Sequence, residues 1–222
     1  MRISSPTARL VAALSALHPT RVFAIPGDAT FTDGKLASGT CSFSNYSFPP
    51  GIYGSGLGPA NWAGGSKCGA CLQVKGPRGS TKVMIVDSCP SCSGSRLNLF
   101  SDAFKQIGDP KDGIVPINYE PVSCGIAKPL RLRNKSGTSK WYFSVQVLDA
   151  NYPITALDVS TDNGQSWQPT IRKEYNYFER EKSAGFEKDF VHVRISCSNN
   201  RQVIVPNVSA ANEAKTEAPV NC

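Results

Sequence analysis

The sequence predicts a mainly β protein made of two domains. Its 222 residues are enough for two domains of about 100 residues, each with its own hydrophobic core. Six of the eight cysteines lie in the first half and two in the second, which indicates that the halves are crosslinked separately. Short segments rich in β-branched or alternating apolar residues recur between turn signals. We therefore predict a first domain at residues 25–126 and a second at residues 127–222.

Three strands and a helix are predicted in the first half. The segments ACLQVKG and STKVMIVDS flank the turn GPRG and are typical of paired strands, the second ending near the acidic residue Asp87. SDAFKQIG has apolar residues at helical spacing, with Ser101 as the expected N-cap and Gly108 as the end. GIVPINYEPVSC returns as a strand. The glycine- and proline-rich stretch between Cys41 and Cys68 has no strand or helix pattern, so we expect a loop there, and not a phosphate site.

The second half shows strand patterns only. In WYFSVQVL, the apolar residues Phe143, Val145 and Val147 alternate with polar ones. ITALDVSTDNGQSWQPT places Asn163-Gly164, a strong hairpin signal, between two strands. DFVHVRISC and RQVIVPNVS add two more strands. About seven short strands within one domain favour a β-sandwich.

The N-terminus has the features of a secretory signal peptide. Arg2 and Arg9 precede the short apolar run LVAALSAL, and small residues suited to cleavage end at Ala24. We therefore predict a signal peptide over residues 1–24 and a mature chain that starts near Ile25.

Composition and charge limit the partners of the chain. Three Asn-x-Ser sequons, at Asn45, Asn134 and Asn207, are candidate glycosylation sites and agree with secretion. Without residues 1–24 the chain keeps 21 of its 24 basic residues and all 17 acidic ones, so its net charge falls from +7 to +4. This charge suits either an acidic polysaccharide or simple solubility. No basic stripe indicates nucleic acid, and no apolar run reaches the roughly 18 residues of a membrane helix. We expect a monomer.

The cysteines fit either a metal site or disulfides. Cys68 and Cys71, followed after seventeen residues by Cys89 and Cys92, have the spacing of a four-cysteine zinc site. That site would leave two cysteines of the first half without a role, and a secreted chain forms disulfides by default. We therefore predict disulfides, with a local bridge between Cys89 and Cys92, and no metal or cofactor. The cysteines assigned to disulfides are Cys41, Cys68, Cys71, Cys89, Cys92, Cys124, Cys197 and Cys222.

Seven separated motifs carry a family resemblance. In chain order they are GDATFT, CGACLQV, VDSCPSC, LNLFSDAFKQIGDPKDG, INYEPVSC, SKWYFSVQVLDANYPI and KEYNYF. Together they resemble the expansin family in its microbial, expansin-like form, over nearly all of the mature chain. The resemblance implies a six-stranded double-psi β-barrel followed by an immunoglobulin-like β-sandwich that binds cellulose. It also implies loosening of plant-type cell walls by disruption of non-covalent contacts between polysaccharides, without cleavage.

The resemblance further implies a polysaccharide-binding groove on the barrel. Thr30 and Thr32 would line this groove, and Asp87 would be its acidic residue. The family's second essential acid lies between two leucines, where this chain has Asn98. An amide hydrogen-bonds but cannot protonate a leaving oxygen, whereas inverting hydrolysis needs an acid and a base about 6.5–9.5 Å apart. Asp33 does not match a catalytic base of the family, so we assign no catalytic residue.

On the second domain, the resemblance implies a platform of aromatic rings. Trp141, Tyr142 and Tyr175 match its rings, and Lys135 matches a basic residue beside it. Flat rings suit the CH-rich faces of glucan chains. Neighbours on a strand point to opposite faces, so Trp141 and Tyr142 share a surface only where a strand begins or bulges. The alternative is that each ring belongs to a core, and for Trp167 packing is the preferred interpretation.

The leading hypothesis is a secreted cell-wall protein that binds cellulose and matrix polysaccharides, such as β-glucan, xyloglucan or xylan, and loosens walls without hydrolysis. A carbohydrate-binding protein that has lost loosening because of Asn98 is the second hypothesis. An inverting β-glucanase is the third, and a zinc protein the fourth. A glycan on Asn134 would obstruct flat docking beside Lys135.

Overall fold

The computed structural model describes residues 24–222, so the predicted signal peptide lies outside the described residues except for Ala24. A closed barrel comes first along the chain and is followed by two further sheets. Within the described part of the chain, none of the helices has the length and apolarity needed to cross a membrane.

Six strands close into a barrel in the spatial order β1-β5-β2-β4-β3-β6. They are β1 (Ile25–Thr32), β2 (Ile52–Leu57), β3 (Cys71–Gly76), β4 (Gly79–Ser88), β5 (Leu97–Phe100) and β6 (Val115–Val122). The pairs β1–β5 and β2–β4 are parallel, and the other pairs are antiparallel. Alternate side chains such as Val83 and Ile85 fill the interior. This barrel confirms the fold that the resemblance implies for the first domain.

The strand β2 lies in the glycine- and proline-rich stretch, where a loop was expected, so that prediction was wrong. Packing explains why glycine is found in this strand. A Cβ on Gly54 would lie 2.4 Å from Cε2 of Phe100, so only glycine lets this ring approach the backbone. Pairing with β4 on one side and β5 on the other holds the strand despite its low strand propensity. The short helix α1 (Pro59–Trp62) was also not predicted.

The predicted helix is present as α2 (Ser101–Ile107), but Ser101 is not its N-cap. The N-cap is Phe100, and Ser101 is the first residue of the helix. The hydroxyl of Ser101 donates to the carboxylate of Asp33, so it does not cap the helix. Phe104 and Ile107 are fully buried and hold the helix against the barrel.

Nine strands form the second domain as two packed sheets, which confirms the predicted sandwich. One sheet has the order β10-β9-β13-β14 and the other β11-β12-β8-β7-β15. The strands are β7 (Arg131–Asn134), β8 (Ser144–Leu148), β9 (Ile154–Ser160), β10 (Gln168–Pro169), β11 (Ile171–Arg172), β12 (Phe178–Glu179), β13 (Phe190–Cys197), β14 (Gln202–Ser209) and β15 (Lys215–Glu217). Asn163 and Gly164 lie in the turn between β9 and β10 with φ values of 58° and 88°.

All eight cysteines form disulfides. The pairs are Cys41–Cys68, Cys71–Cys124, Cys89–Cys92 and Cys197–Cys222. The bridge predicted between Cys89 and Cys92 is present. Because Cys68 and Cys71 pair with two different cysteines outside the proposed zinc set, the four thiols of that set are not left to bind a metal.

The polar face of β8 contacts the barrel. Gln146 is fully buried, and its Nε2 donates to the carbonyl of Cys41 at 2.8 Å. The guanidinium of Arg133 donates to Oε1 of Gln146 at 2.6 Å and to the carbonyl of Ser42 at 2.7 Å. The alternation predicted for this strand is therefore present, but its polar side faces the other domain and not solvent.

Removing the Cys71–Cys124 disulfide is expected to destabilise the protein more than removing Cys89–Cys92. The two bridges join residues 53 and 3 positions apart. A crosslink restricts the unfolded chain more when it closes a longer loop. The double variant Cys71→Ala/Cys124→Ala should therefore lose about 2–3 kcal/mol more free energy of unfolding than Cys89→Ala/Cys92→Ala. Denaturant unfolding measures both losses, and equal values would contradict the prediction.

Candidate functional site

A row of residues crosses the barrel from β1 to β4. Thr30 pairs with Asn98, Asn98 with Gly56, and Gly56 with Asp87. Neighbouring strands are about 4.8 Å apart, so the Cα atoms of Asp87 and Asn98 are about 10 Å apart, with a residue that has no side chain between them. Thr32 follows Thr30 on the same face of β1. The four residues predicted to line the groove are therefore brought together.

Asp87 is held by three hydrogen bonds at the end of β4. Its Oδ1 accepts from the backbone N–H and the hydroxyl of Thr40, both at 2.7 Å, and from the N–H of Ser88 at 2.8 Å. Among the described residues, hydrogen bonds reach only Oδ1. The second oxygen, Oδ2, is therefore free to accept a hydrogen bond from a ligand in the groove.

Asn98 lies within β5. The hydroxyl of Thr30 donates to its Oδ1 at 3.1 Å, which leaves the Nδ2 group as a donor toward the groove. The row thus offers an acceptor at Asp87 and a donor at Asn98. Such a pair can bind sugar hydroxyls, but the amide cannot protonate a glycosidic oxygen. Asp33 lies beyond the end of β1, bound to Ser101, and does not belong to the row.

The predicted platform residues lie at the start of β8 and around it. Trp141 is 64% exposed, whereas Tyr142 and Tyr175 are half-buried. Trp141 and Tyr142 precede the strand, in a turn closed by a bridge between Ser139 and Tyr142, so the condition for sharing one surface is met. The Nζ atom of Lys135 lies 4.6 Å from the ring centroid of Tyr175 and 6.0 Å from that of Tyr142.

Glu179 contacts Tyr142, Tyr175 and Lys135, and it was not predicted from the sequence. Its side chain is only 2% exposed. Its Oε1 accepts from the hydroxyls of Tyr175 at 2.7 Å, Ser144 at 2.9 Å and Tyr142 at 3.0 Å, while Nζ of Lys135 lies 3.8 Å away. The two-residue strand β12 is too short for periodicity to reveal a role, so the sequence offers no signal for this contact.

The ionisation of this cluster follows from its contacts. Burial alone would raise the pKa of the Glu179 carboxyl, but hydrogen bonds from Tyr175, Ser144 and Tyr142 and the charge of Lys135 together lower it. Burial raises the pKa of the Tyr175 hydroxyl, and its hydrogen bond to Glu179 acts in the same direction. At neutral pH the cluster therefore holds a carboxylate beside the neutral phenol of Tyr175.

Phe190 is a further aromatic residue near the platform that sequence reasoning missed. It is 62% exposed and lines, together with Trp141, an open cleft of about 580 Å³ that also includes Asp189 and Asn212. A signal was present in the sequence. Alternation along β13 places Phe190 on the side of the polar residue His192, where a large apolar ring is unusual.

A barrel loop connects the groove with the platform. Thr40 holds Asp87, and the carbonyl of the next residue, Cys41, accepts from Nδ2 of Asn176 at 3.4 Å. Asn176 follows Tyr175 directly in the chain. The acid of the groove and a ring of the platform are therefore joined through two hydrogen-bonded contacts and two peptide units.

The amide of Asn134, one of the three candidate glycosylation sites, is held inside the fold. Its side chain is buried, and Nδ2, the atom to which a glycan attaches, donates to the carbonyls of Ser209 at 2.8 Å and Ala211 at 2.7 Å. Asn45 and Asn207 are exposed and remain candidates. A glycan could therefore attach to Asn134 only if these two hydrogen bonds were broken.

Comparisons with known proteins agree with the two-domain arrangement. A family model described as "Lytic transglycolase" matches residues 55–119, within the barrel. The crystal structure of apo Clavibacter michiganensis expansin matches with a TM-score of 0.79 at 27% identity, covering 90% of this chain and 98% of that one. A mutant of an expansin from the same organism, in complex with cellohexaose, matches with a TM-score of 0.80 at the same identity and coverage. The chain therefore belongs to the class of proteins that join a double-psi barrel to a β-sandwich.

Sequence comparison identifies the family within this class. The chain is 30% identical over 156 residues to Expansin-YoaJ of Bacillus subtilis, covering 68% of this chain and 66% of that protein. It is 28% identical over 160 residues to Expansin-like protein 7 of Dictyostelium discoideum, covering 69% of this chain and 29% of that protein. The chain thus spans about two thirds of the first relative and less than a third of the second. It belongs to the expansin family as a microbial expansin-like protein.

The burial of Asn134 predicts that correctly folded protein carries no glycan at this sequon. In a host that attaches N-glycans, Asn134→Gln should leave the glycan mass of the folded protein unchanged. The same substitution should lower the free energy of unfolding by about 1–3 kcal/mol, because it disturbs two buried hydrogen bonds. Intact-mass analysis and denaturant unfolding measure the two effects, with Asn45→Gln as the exposed control. Loss of one glycan mass on Asn134→Gln would contradict the prediction.

Proposed function

We propose that the chain binds cellulose and related wall polysaccharides and loosens plant-type walls without cleaving them. The observation that carries the proposal is the platform. Trp141 is 64% exposed and directly precedes Tyr142, which a buried carboxylate holds together with Tyr175 and Lys135. An exposed tryptophan gains little from burial on folding, and a sugar face is a ligand that would cover it. The cellohexaose complex of a protein with the same fold supports this assignment.

The groove adds a second contact for the same polysaccharide. The acceptor at Asp87 and the donor at Asn98 suit pairs of sugar hydroxyls, and the bare backbone of Gly56 leaves room for a chain between them. Only one of the two carries a carboxylate. A non-hydrolytic action is therefore preferred over an inverting β-glucanase.

A second candidate function is binding without loosening. The observation that favours it is Asn98, which replaces an acid that the family's loosening activity requires. Both candidates use the same platform and differ only in what the groove does to a bound wall.

The proposed place of action is outside the cell. Four disulfides support an oxidising compartment, as the signal-peptide pattern of residues 1–24 does. Outside the cell, the protein would encounter cellulose and matrix polysaccharides as insoluble surfaces.

Trp141→Ala is expected to weaken retention on microcrystalline cellulose by about tenfold, which corresponds to about 1.4 kcal/mol. The physical reason is the loss of the most exposed ring of the platform. The measurement is a depletion isotherm at neutral pH. Ile204→Ala is the control, because Ile204 is 51% exposed but lies on the other sheet. Equal isotherms for native protein and Trp141→Ala would contradict the platform assignment.

Asn98→Asp separates the candidate functions. Wall extension and release of reducing ends should be measured side by side for the native protein and the variant. We expect extension without reducing ends from the native protein and faster extension from Asn98→Asp, because the variant restores the acid. No extension by the native protein together with a gain in the variant would establish the second candidate. Reducing ends released by the native protein would contradict both.

A further inference from the structure

Glu179 connects three separate segments of the sandwich, at residues 135, 142–144 and 173–175. Tyr142 comes from the turn before β8, Ser144 from β8 itself, and Tyr175 from the loop before β12, and all three donate to the same oxygen, Oε1. Lys135 reaches the group from the end of β7, with Nζ 3.8 Å from Oε1. The second oxygen, Oε2, lies 3.9 Å from Nζ of Lys173.

A carboxylate in this position is costly for folding. A buried charge loses its hydration, and the loss is offset only when hydrogen bonds and an opposite charge replace the water. Glu179 has all of these replacements, yet apolar residues at such positions often stabilise a fold equally well. Unlike an apolar side chain, a carboxylate accepts hydrogen bonds. It therefore fixes the direction in which each bound hydroxyl points.

Fixing the hydroxyls fixes the rings. A tyrosine whose Oη atom is bound to an internal carboxylate cannot rotate freely about its side-chain torsions. Tyr142 and Tyr175 are held in this way, and Lys135 is held above the ring of Tyr175 at 4.6 Å. Rings that are ordered before binding lose less conformational entropy when a ligand covers them.

We propose that Glu179 is the positioning residue of the platform: its buried carboxylate holds Tyr142, Tyr175 and Lys135 in the arrangement that contacts a glucan chain. Glu179 itself does not touch the polysaccharide. The consequence for binding rests on the proposed function, whereas the ordering of the tyrosines does not.

The first test replaces the charge and keeps the shape. Glu179→Gln should fold and should bind microcrystalline cellulose about tenfold more weakly at pH 7, because the charge-assisted hydrogen bonds of the tyrosines are lost. The matched control is Glu217→Gln, which removes a carboxylate from an exposed position on the same sheet. Native affinity in folded Glu179→Gln would overturn the proposal.

The pH dependence of binding gives a readout that loss of packing would not produce. The groups that face Glu179 are Lys135, Lys173, Tyr142, Tyr175 and Ser144, and Glu179 is the only carboxyl group of this cluster. Its pKa is lowered in the folded state, so the ordering is complete at neutral pH and is lost as the pH falls through that lowered value. The ratio of native to Glu179→Gln affinity should therefore fall toward one in acid. A constant ratio would overturn the proposal.

A tyrosine titration tests the same contact without cellulose. In native protein the ionisation of Tyr175, followed by ultraviolet absorbance, should occur above the ordinary range of tyrosine, and Glu179→Gln should move it to lower pH. The absorbance change that disappears in Tyr175→Phe is the ionisation of Tyr175. If native protein is not retained on cellulose, the proposed function fails, and this titration still decides the role of Glu179. An unchanged titration overturns that role.

A second variant covers the case in which Glu179→Gln does not fold. Tyr142→Phe/Tyr175→Phe keeps both rings and removes both hydroxyls that Glu179 holds. It should bind cellulose about tenfold more weakly than native protein, although the apolar faces remain. Native affinity in this variant would overturn the proposal.

Discussion

The backbone of one barrel loop is the constraint on which the rest of the arrangement depends. Within three consecutive residues, Thr40 fixes the acid of the groove, Cys41 is crosslinked to Cys68 and accepts hydrogen bonds from the sandwich, and Ser42 accepts from Arg133. The contacts with the sandwich use the carbonyl groups of Cys41 and Ser42, so they depend on the path of the loop more than on its side chains. A shift of this loop would change the groove and the orientation of the sandwich together, because both are attached to the same backbone.

Buried polar groups decide the geometry on both sides of that loop. In the sandwich, Gln146 and Glu179 are buried among apolar residues, and each is satisfied by several partners. In the groove, the orientation of Asn98 is set by Thr30. Apolar packing makes the two cores stable, but it does not select one orientation for a ring or an amide. The hydrogen-bonded groups make that selection.

Much of the fold could be predicted from the sequence, and the exceptions have physical reasons. Periodicity and turn chemistry gave the hairpin at Asn163-Gly164 and the main strands of the sandwich, because those segments have one apolar face each. Periodicity did not reveal β2. There Gly54 allows the close approach of Phe100, and the glycines interrupt the alternating pattern of a strand. The sequence also did not reveal Glu179, because a contact between three distant segments leaves no local pattern. The groove residues were found only through the family resemblance, since pairing across parallel strands joins positions far apart in the chain.

The two hydrogen bonds made by the Asn134 amide have a consequence for how the protein can be produced. In a compartment that attaches N-glycans, sugar transfer precedes completion of the fold, so a nascent chain meets the transferase with Asn134 still accessible. A chain modified at that moment could not place the amide beneath the segment from Ser209 to Ala211, and the sandwich could not close there. The yield of native protein then depends on the rate of folding around Asn134 relative to the rate of glycan transfer to it.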